Sequence, residues 1–405
     1  MSLSLDDAIQ QGLENNLNLK KSLIDLSMAE YSANRLWSEV FPTISGNVGA
    51  SYDNKLISGD GWDPNVKGRM SAGVGVSLTL NAGIPYTMKN IRLAYQSRLL
   101  GYEDARNQLE IQITKSFYSL IADRDYCSSF EYVLQLAQKQ HEQNQTAFKN
   151  GIIGELTLMQ SSLGMENARF NLSAARLAYA SRMSDFLSLI GIAADEEITL
   201  EGEITITKTE LNAEQLISDN LPRRPDIVSR RQEIERLENA EKQAVYSSRA
   251  PSLRLQADWN NRFPDPYTDS LGGSATVTIP IDPWIPGTTR GQSVRSAKNA
   301  VEKAKLDLQG AEDAAVTQVR SLAANLRNSW DSIEIARLSL SVAERGYELS
   351  EQGFRSGTVE SLKLEDARNN LVNARQRLLQ TEYSYLTMIL DISAALNMSW
   401  KDLMK

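Results

Sequence analysis

The chain has 405 residues with 43 Lys and Arg against 51 Asp and Glu, a formal charge of −8. That balance lacks the basic face that nucleic acid requires as a partner. One histidine, His141, and one cysteine, Cys127, remove Ser-His-Asp triads, histidine-based zinc sites and any intrachain disulfide. No acid pair stands in a cleft-like context, so no catalytic residue, metal ligand or cofactor motif is assigned.

In chain order, residues 5–41 read as helix with a break near Asn15 and Asn16, ended by Pro42. Residues 43–52 then alternate strictly: Ile44, Gly46, Val48, Ala50 and Tyr52 take one side, Thr43, Ser45, Asn47, Gly49 and Ser51 the other. Such alternation marks a strand with one apolar and one polar face. After a polar, Gly-rich turn containing Gly59 and Gly61, the pattern returns over 71–80, with Ala72, Val74, Val76, Leu78 and Leu80 on the apolar side. A long helix is expected over 86–150, with Leu109, Ile113, Phe117 and Leu120 at helical spacing. At 1.5 Å per residue it would run roughly 90 Å, far beyond an ordinary globular helix and suited to a coiled coil or a helical tube. Gly151 turns the chain into a returning helix, 154–191, and 193–208 carries a short strand-like patch.

The same programme follows again: helix 213–248, strands 252–260 and 274–282, helix 289–355, a turn at Gly357, and helix 359–397. The long helix carries Ala297, Val301, Ala304, Leu308, Ala311 and Ala315, then Ile333, Ala336, Leu340, Ala343 and Tyr347, an alanine-rich seam that lets helices approach closely. Phe148 to Gly151 matches Phe354 to Gly357 at an offset of 206, where Asn167 also falls on Asn373 and Tyr179 on Tyr385. The chain therefore reads as two structural repeats, 1–208 and 209–405.

Each strand is about nine or ten residues, the length of a tilted membrane strand. A wall apolar outside and polar inside suits a β-barrel in lipid, but four strands cannot close one, so several chains would share it. Trp37, Phe41, Trp259 and Trp284 near the strand ends suit an aromatic belt at a membrane interface, with core packing against a soluble sheet as the alternative. Arg254, Asp258 and Asp282 are expected on the polar, lumen-facing side. A soluble coiled-coil structural protein carrying two hairpins is the rival architecture.

The duplicated helix–hairpin–long helix–helix unit resembles the TolC-type outer membrane efflux proteins. The segment Asn220 to Asp226, with Ala240, Ala244, Pro251 and Leu253, carries the likeness, as do Leu5 to Ile9, Glu14 to Asn16, and Phe354 to Ala367. The resemblance implies a mixed α+β membrane protein: a homotrimer whose twelve strands, four per chain, form one outer-membrane β-barrel, continued by a coiled-coil α-helical barrel in the periplasm of a diderm bacterium. It implies a passive exit duct of a tripartite efflux or type I secretion system, opened by a periplasmic adaptor and an inner-membrane pump. It also places adaptor docking at two hairpin tips, Asn150, Gly151, Ile152, Ile153 and Gly154, and Ser356, Gly357, Thr358, Val359 and Glu360. The gate falls on Phe354, Arg355, Lys363 and Asp366, with Thr157 and Gln160 at the equivalent places of the first repeat. Where the family tends to set two aspartates, this chain has Lys363 and Asp366. Lys363 can neutralise Asp366 at i, i+3, or Arg355 or Lys363 can pair with Asp366 or Glu360 of a neighbouring helix.

Overall fold

The structure, a computed structural model, describes residues 2–53, 67–193, 196, 198–263, 269–285 and 287–403. The expected turn at Gly59 and Gly61, Pro286, and part of the 193–208 patch lie outside these residues.

The elements run β1 (Ser2–Leu3), α1 (Leu5–Asn15), α2 (Leu17–Ala33), a 3-10 turn (Leu36–Val40), β2 (Thr43–Asp53), β3 (Lys67–Asn81), α3 (Ile84–Lys149), α4 (Glu155–Ile190), β4 (Thr199–Leu200), α5 (Ala213–Asn220), α6 (Pro225–Arg249), β5 (Ser252–Phe263), β6 (Ser270–Thr278), α7 (Thr289–Arg355), α8 (Ser361–Leu396) and α9 (Trp400–Leu403). Two compact units form, each drawing on both halves of the sequence: one of Met1–Leu23, Gly101–Val228 and Ala311–Lys405, the other of Ile24–Leu100 and Ser229–Gly310.

Several boundaries depart from expectation for local reasons. The first helix breaks at Asn16, whose side-chain oxygen accepts from the amides of Asn18 and Leu19 while its Nδ2 donates to Leu189 O; one side chain ends α1 and caps α2. Helix α2 stops at Ala33, and 36–40 form a 3-10 turn rather than the end of a helix to 41. The helix expected over 213–248 is cut at 221–224, where Pro222 and Pro225 each lack an amide donor. The strand expected over 274–282 spans 270–278 instead; Pro280 cannot donate to a ladder. Of the 193–208 patch, only Thr199 and Leu200 form a ladder, parallel to Ser2 and Leu3.

The larger, helical unit holds two cores. Leu3, Ala8, Ile113, Phe117, Leu120, Phe186 and Ile190 form the first. Gly12 is required there, since a Cβ would meet Ile113 Cδ1 at 2.2 Å. Val319, Leu326, Ile333, Tyr385, Ile389 and Leu396 form the second. Arg224, 7% exposed, braces the start of α6 by donating to both carboxylate oxygens of Asp226, at 3.0 and 2.8 Å, and to Gln318 Oε1. The other unit holds an antiparallel sheet in the order β2-β3-β5-β6.

Candidate functional site: sheet faces and hairpin tips

The register of the sheet sorts its side chains. Ile44 stands opposite Val76, and Val76 opposite Ala257. Val74 lies between Gly46 and Trp259, and Trp259 faces Leu271. Leu80, Leu253 and Val277 form a further row. Opposed residues share a face, so one face is apolar across all four strands. The other carries Thr43, Ser77, Gln256 and Ser274 in one row and Asn47, Gly73, Asn260 and Ser270 in another.

No described element covers the apolar face: Val48 is 80% exposed and Leu271 85%. A continuous apolar sheet face of this extent left bare marks an interaction surface rather than a soluble exterior. The outer edges of β2 and β6 also lack a strand partner among the described residues, leaving rows of backbone donors and acceptors on which another chain's strand can pair. Trp37, Phe41 and Trp284 are each more than half exposed, with Trp37 edge-on to Phe41 and the Arg249 guanidinium 4.9 Å from the centre of the Trp284 ring. They are not the core of a soluble sheet.

Arg254 and Asp258 sit on the polar face as expected, in rows with Thr79 and Gly75. Asp282 does not: it opens a 3-10 turn after the last strand and pairs with Arg290 at 3.0 Å.

The two hairpin tips share one backbone design. At the first, Gly151 (φ 70°) turns left-handed, its amide donates to Phe148 O, and the Ile152 amide to Ala147 O. At the second, Gly357 (φ 76°) donates to Phe354 O, and Thr358 to Gly353 O. These paired bonds satisfy the last helical carbonyls, and glycine takes the positive φ without strain. Gly353 is itself dictated by packing, because a Cβ there would meet Val359 Cγ2 at 2.5 Å. Both tips line one open groove of about 1160 Å³, which gathers Ile152, Ile153, Thr157 and Gln160 with Phe354, Arg355, Thr358 and Glu360.

Lys363 and Asp366 lie outside that groove, on the exposed side of α8. Among the described residues they form no ion pair, with each other or with Arg355 or Glu360; Arg355 instead bonds Glu351 one turn back in its own helix at 2.5 Å. The i, i+3 neutralisation expected from spacing is therefore absent within the chain.

A buried polar layer beside the tips was not foreseen. Arg368, 5% exposed, reaches Gln140 Oε1 on α3 at 3.5 Å and Glu365 Oε1 at 3.4 Å, while its Nε finds no partner. Burial pushes its guanidinium below the ordinary arginine value, against the pull of Glu365. Gly164 of α4 abuts the same pair, its missing Cβ only 3.0 Å from Glu365 Oε1. His141, noted in the sequence only as the lone histidine, bonds Ser161 Oγ at 3.1 Å. That hydroxyl already donates to Leu158 O, so the imidazole Nδ1 is the donor. The one available signal was Arg368 standing four residues after Leu364 and three before Leu371, on their buried face. The Cys127 thiol is held protonated by burial and by Asp123, as expected of a packed thiol.

Among the described residues no helix is long and apolar enough to cross a membrane, and no group of acids, His and Cys could hold a metal. Residues 216–398 match the outer membrane efflux protein family. The Outer membrane protein TolC of Escherichia coli (strain K12) is 22% identical over 411 residues, covering 97% of this chain and 82% of TolC. Over that span the chain is similar to the outer membrane efflux proteins. A second relative in sequence, the Toxin and drug export protein A of Aggregatibacter actinomycetemcomitans, is 20% identical over 390 residues, 94% of this chain and 83% of that protein. In structure, the Campylobacter jejuni CmeC outer membrane channel superposes with a TM-score of 0.75 at 18% identity, covering 97% of this chain and 85% of CmeC. TolC and CmeC are both named as outer membrane proteins. The relatives named are channels and export proteins, not enzymes.

Proposed function

We propose that the chain is a passive exit duct of a tripartite efflux or type I secretion system. Three copies supply twelve strands to one barrel, whose apolar face meets lipid and whose polar face lines a wet path. The uncovered apolar sheet face, with its two open edges, carries this reading: lipid covers the face, and neighbouring copies complete the edges. Energy comes from an inner-membrane pump, reached through a periplasmic adaptor that docks on the tips around Gly151 and Gly357. The groove between those tips gives the adaptor apolar anchors in Ile152 and Val359 beside polar Thr358 and Glu360.

The gate reads on Thr157, Gln160, Phe354 and Arg355 in the groove, with Lys363 and Asp366 beyond it. Asp366 stands exposed on α8 and forms no ion pair among the described residues, so three copies of its carboxylate can form a cation-attracting ring at a threefold axis. Conductance of the purified protein across a planar lipid bilayer tests both parts. Small uniform steps that favour cations, and that lose this preference in Asp366→Lys, are expected. Steps unchanged by that substitution remove Asp366 from the gate, and failure of the folded protein to insert removes the duct itself.

A further inference from the structure

Where three helices meet the sheet, their ends hold no acid. Helix α3 has none from Ile84 to Tyr102, and α6 has none after Glu241. Beyond Asp282 the next acid is Glu302, well inside α7. The bases in these stretches stand out in a chain whose formal charge is −8. Two of them are answered within the chain, Lys89 by Glu235 and Arg290 by Asp282. Arg92, Lys242, Arg249, Arg295 and Lys298 form no ion pair among the described residues.

Contacts between the helices set these five charges near one level. Tyr86 of α3 stacks on Tyr246 of α6, and Lys305 of α7 reaches Glu238 of α6. Counted from those contacts at 1.5 Å per residue, Arg295 stands about level with Arg249 and Lys298 about 6 Å further from the sheet. Lys242 lies about 10 Å and Arg92 about 14 Å beyond Arg249, whereas Arg98 lies about 22 Å beyond it. Arg249 itself is the last residue of α6, just ahead of Ser252, which pairs with both Asn81 and Thr278. The cluster therefore sits where the strands end.

Trp284 stands at that level, 65% exposed, with the Arg249 guanidinium over its ring. Arg249 is half-buried, and its Nε meets no acceptor. A guanidinium left so calls for an anion from outside the chain, and phosphate oxygens suit its planar fork. An exposed indole beside a cation, at the end of a bare apolar sheet face, suits the boundary between acyl chains and headgroups. The indole has no role toward a free phosphate, so lipid is the source that fits. Each base close to a bilayer surface favours anionic headgroups by about fivefold, fading within a Debye length.

We infer that Arg249 on Trp284, with Arg295, Lys298, Lys242 and Arg92, forms a collar that binds anionic phospholipid headgroups at the helical end of the sheet. The collar rests on the reading of the sheet as membrane-spanning. The test reconstitutes the full chain in phosphatidylcholine bilayers and adds spin-labelled phosphatidylglycerol or phosphatidylcholine. The motionally restricted fraction of each probe gives their relative affinity. Averaged over all lipid contacts, phosphatidylglycerol should be preferred at least about twofold in roughly 0.1 M salt, and the preference should shrink in roughly 1 M salt. Arg249→Gln and the exposed Arg295→Gln should each lower it, and together abolish it, while Arg98→Gln leaves it unchanged. Inorganic phosphate at equal ionic strength should not displace the labelled lipid; displacement overturns the lipid assignment. Inserted protein without the preference, or with one that both substitutions leave intact, overturns the collar and leaves the duct standing. A changed ion preference of the conductance with lipid affinity intact places these bases in the lumen and also overturns it. Failure of the parent protein to insert removes the membrane reading, and the collar with it.

Discussion

The side-chain amide of Asn239 on α6 donates to Asn90 Oδ1 on α3 at 2.8 Å and, with the same nitrogen, to the Tyr86 carbonyl at 2.7 Å. The chain of bonds continues, Asn90 donating to Gln243 and Gln243 to Thr87 Oγ1, and the rings of Tyr86 and Tyr246 stack beside it. Each donor in this ladder meets an acceptor, so two helices of the sheet-bearing unit are held in one register. Asn239 is only 4% exposed, so Asn239→Leu strands a buried acceptor and is expected to lower stability by about 1–3 kcal/mol. The check is urea unfolding followed by helical circular dichroism. Asn107→Leu, which breaks an exposed amide pair with Asn397, should change stability by under about 0.5 kcal/mol.

The glycines of the sheet are not equivalent. A Cβ at Gly73 would stand 2.3 Å from Asn260 Oδ1 and 2.9 Å from the Trp259 carbonyl, whereas one at Gly46 meets nothing within 4 Å. Gly73→Ala should therefore weaken the sheet by about 1–3 kcal/mol, visible as a smaller fraction of compact, SDS-resistant protein before heating. Gly46→Ala should leave that fraction unchanged.

Asn47 and Val48 are adjacent residues with opposite environments. Val48→Lys puts a charge on the face assigned to lipid and is expected to cost about 2–4 kcal/mol per chain near the bilayer midplane. Asn47→Lys stays on the polar face assigned to the lumen and should fold and insert as the parent does. Folding yield into liposomes at a series of urea concentrations measures both.

Burial works to raise the Asp226 pKa, but hydrogen bonds and charge from Arg224 and the Ile227 amide leave it below the ordinary carboxylate value. A depressed pKa contributes stability that is fully present above the unfolded value, about 4, and is lost as pH falls through the folded value. Asp226→Asn should accordingly lower stability by roughly 1–2 kcal/mol at pH 7, a figure reduced for the half-exposed carboxylate. The gap between the two proteins should begin to narrow below about pH 4 and close only below the depressed folded value. Urea midpoints at pH 7 and pH 3.5 give the comparison.

Much of this was legible in the residues. Alternation located all four strands because a two-faced sheet imposes period two on every strand that crosses it. Asn16 announced a helix break because its side chain both stops one helix and caps the next. What failed were places where a pattern continues past its physical support. Ile279 and Ile281 keep the alternation of β6 beyond Thr278, but Pro280 has no amide to offer the ladder, so Asp282 leaves the polar face. Ile204 and Ile206 alternate like a strand yet pack into separate cores without a ladder. Arg368 was invisible because its burial depends on Gln140 and Gly164, far away in sequence and brought close only by the packing of three helices.

Spin-label accessibility at Asn47→Cys and Val48→Cys, each with Cys127→Ser in lipid bilayers, tests the two-faced membrane sheet most directly. The label at position 47 should relax with a water-soluble nickel chelate and be shielded from lipid-phase oxygen, and the label at 48 should do the reverse. Both labels reporting water, or both reporting a packed protein interior, would contradict a sheet that divides lipid from an aqueous lumen.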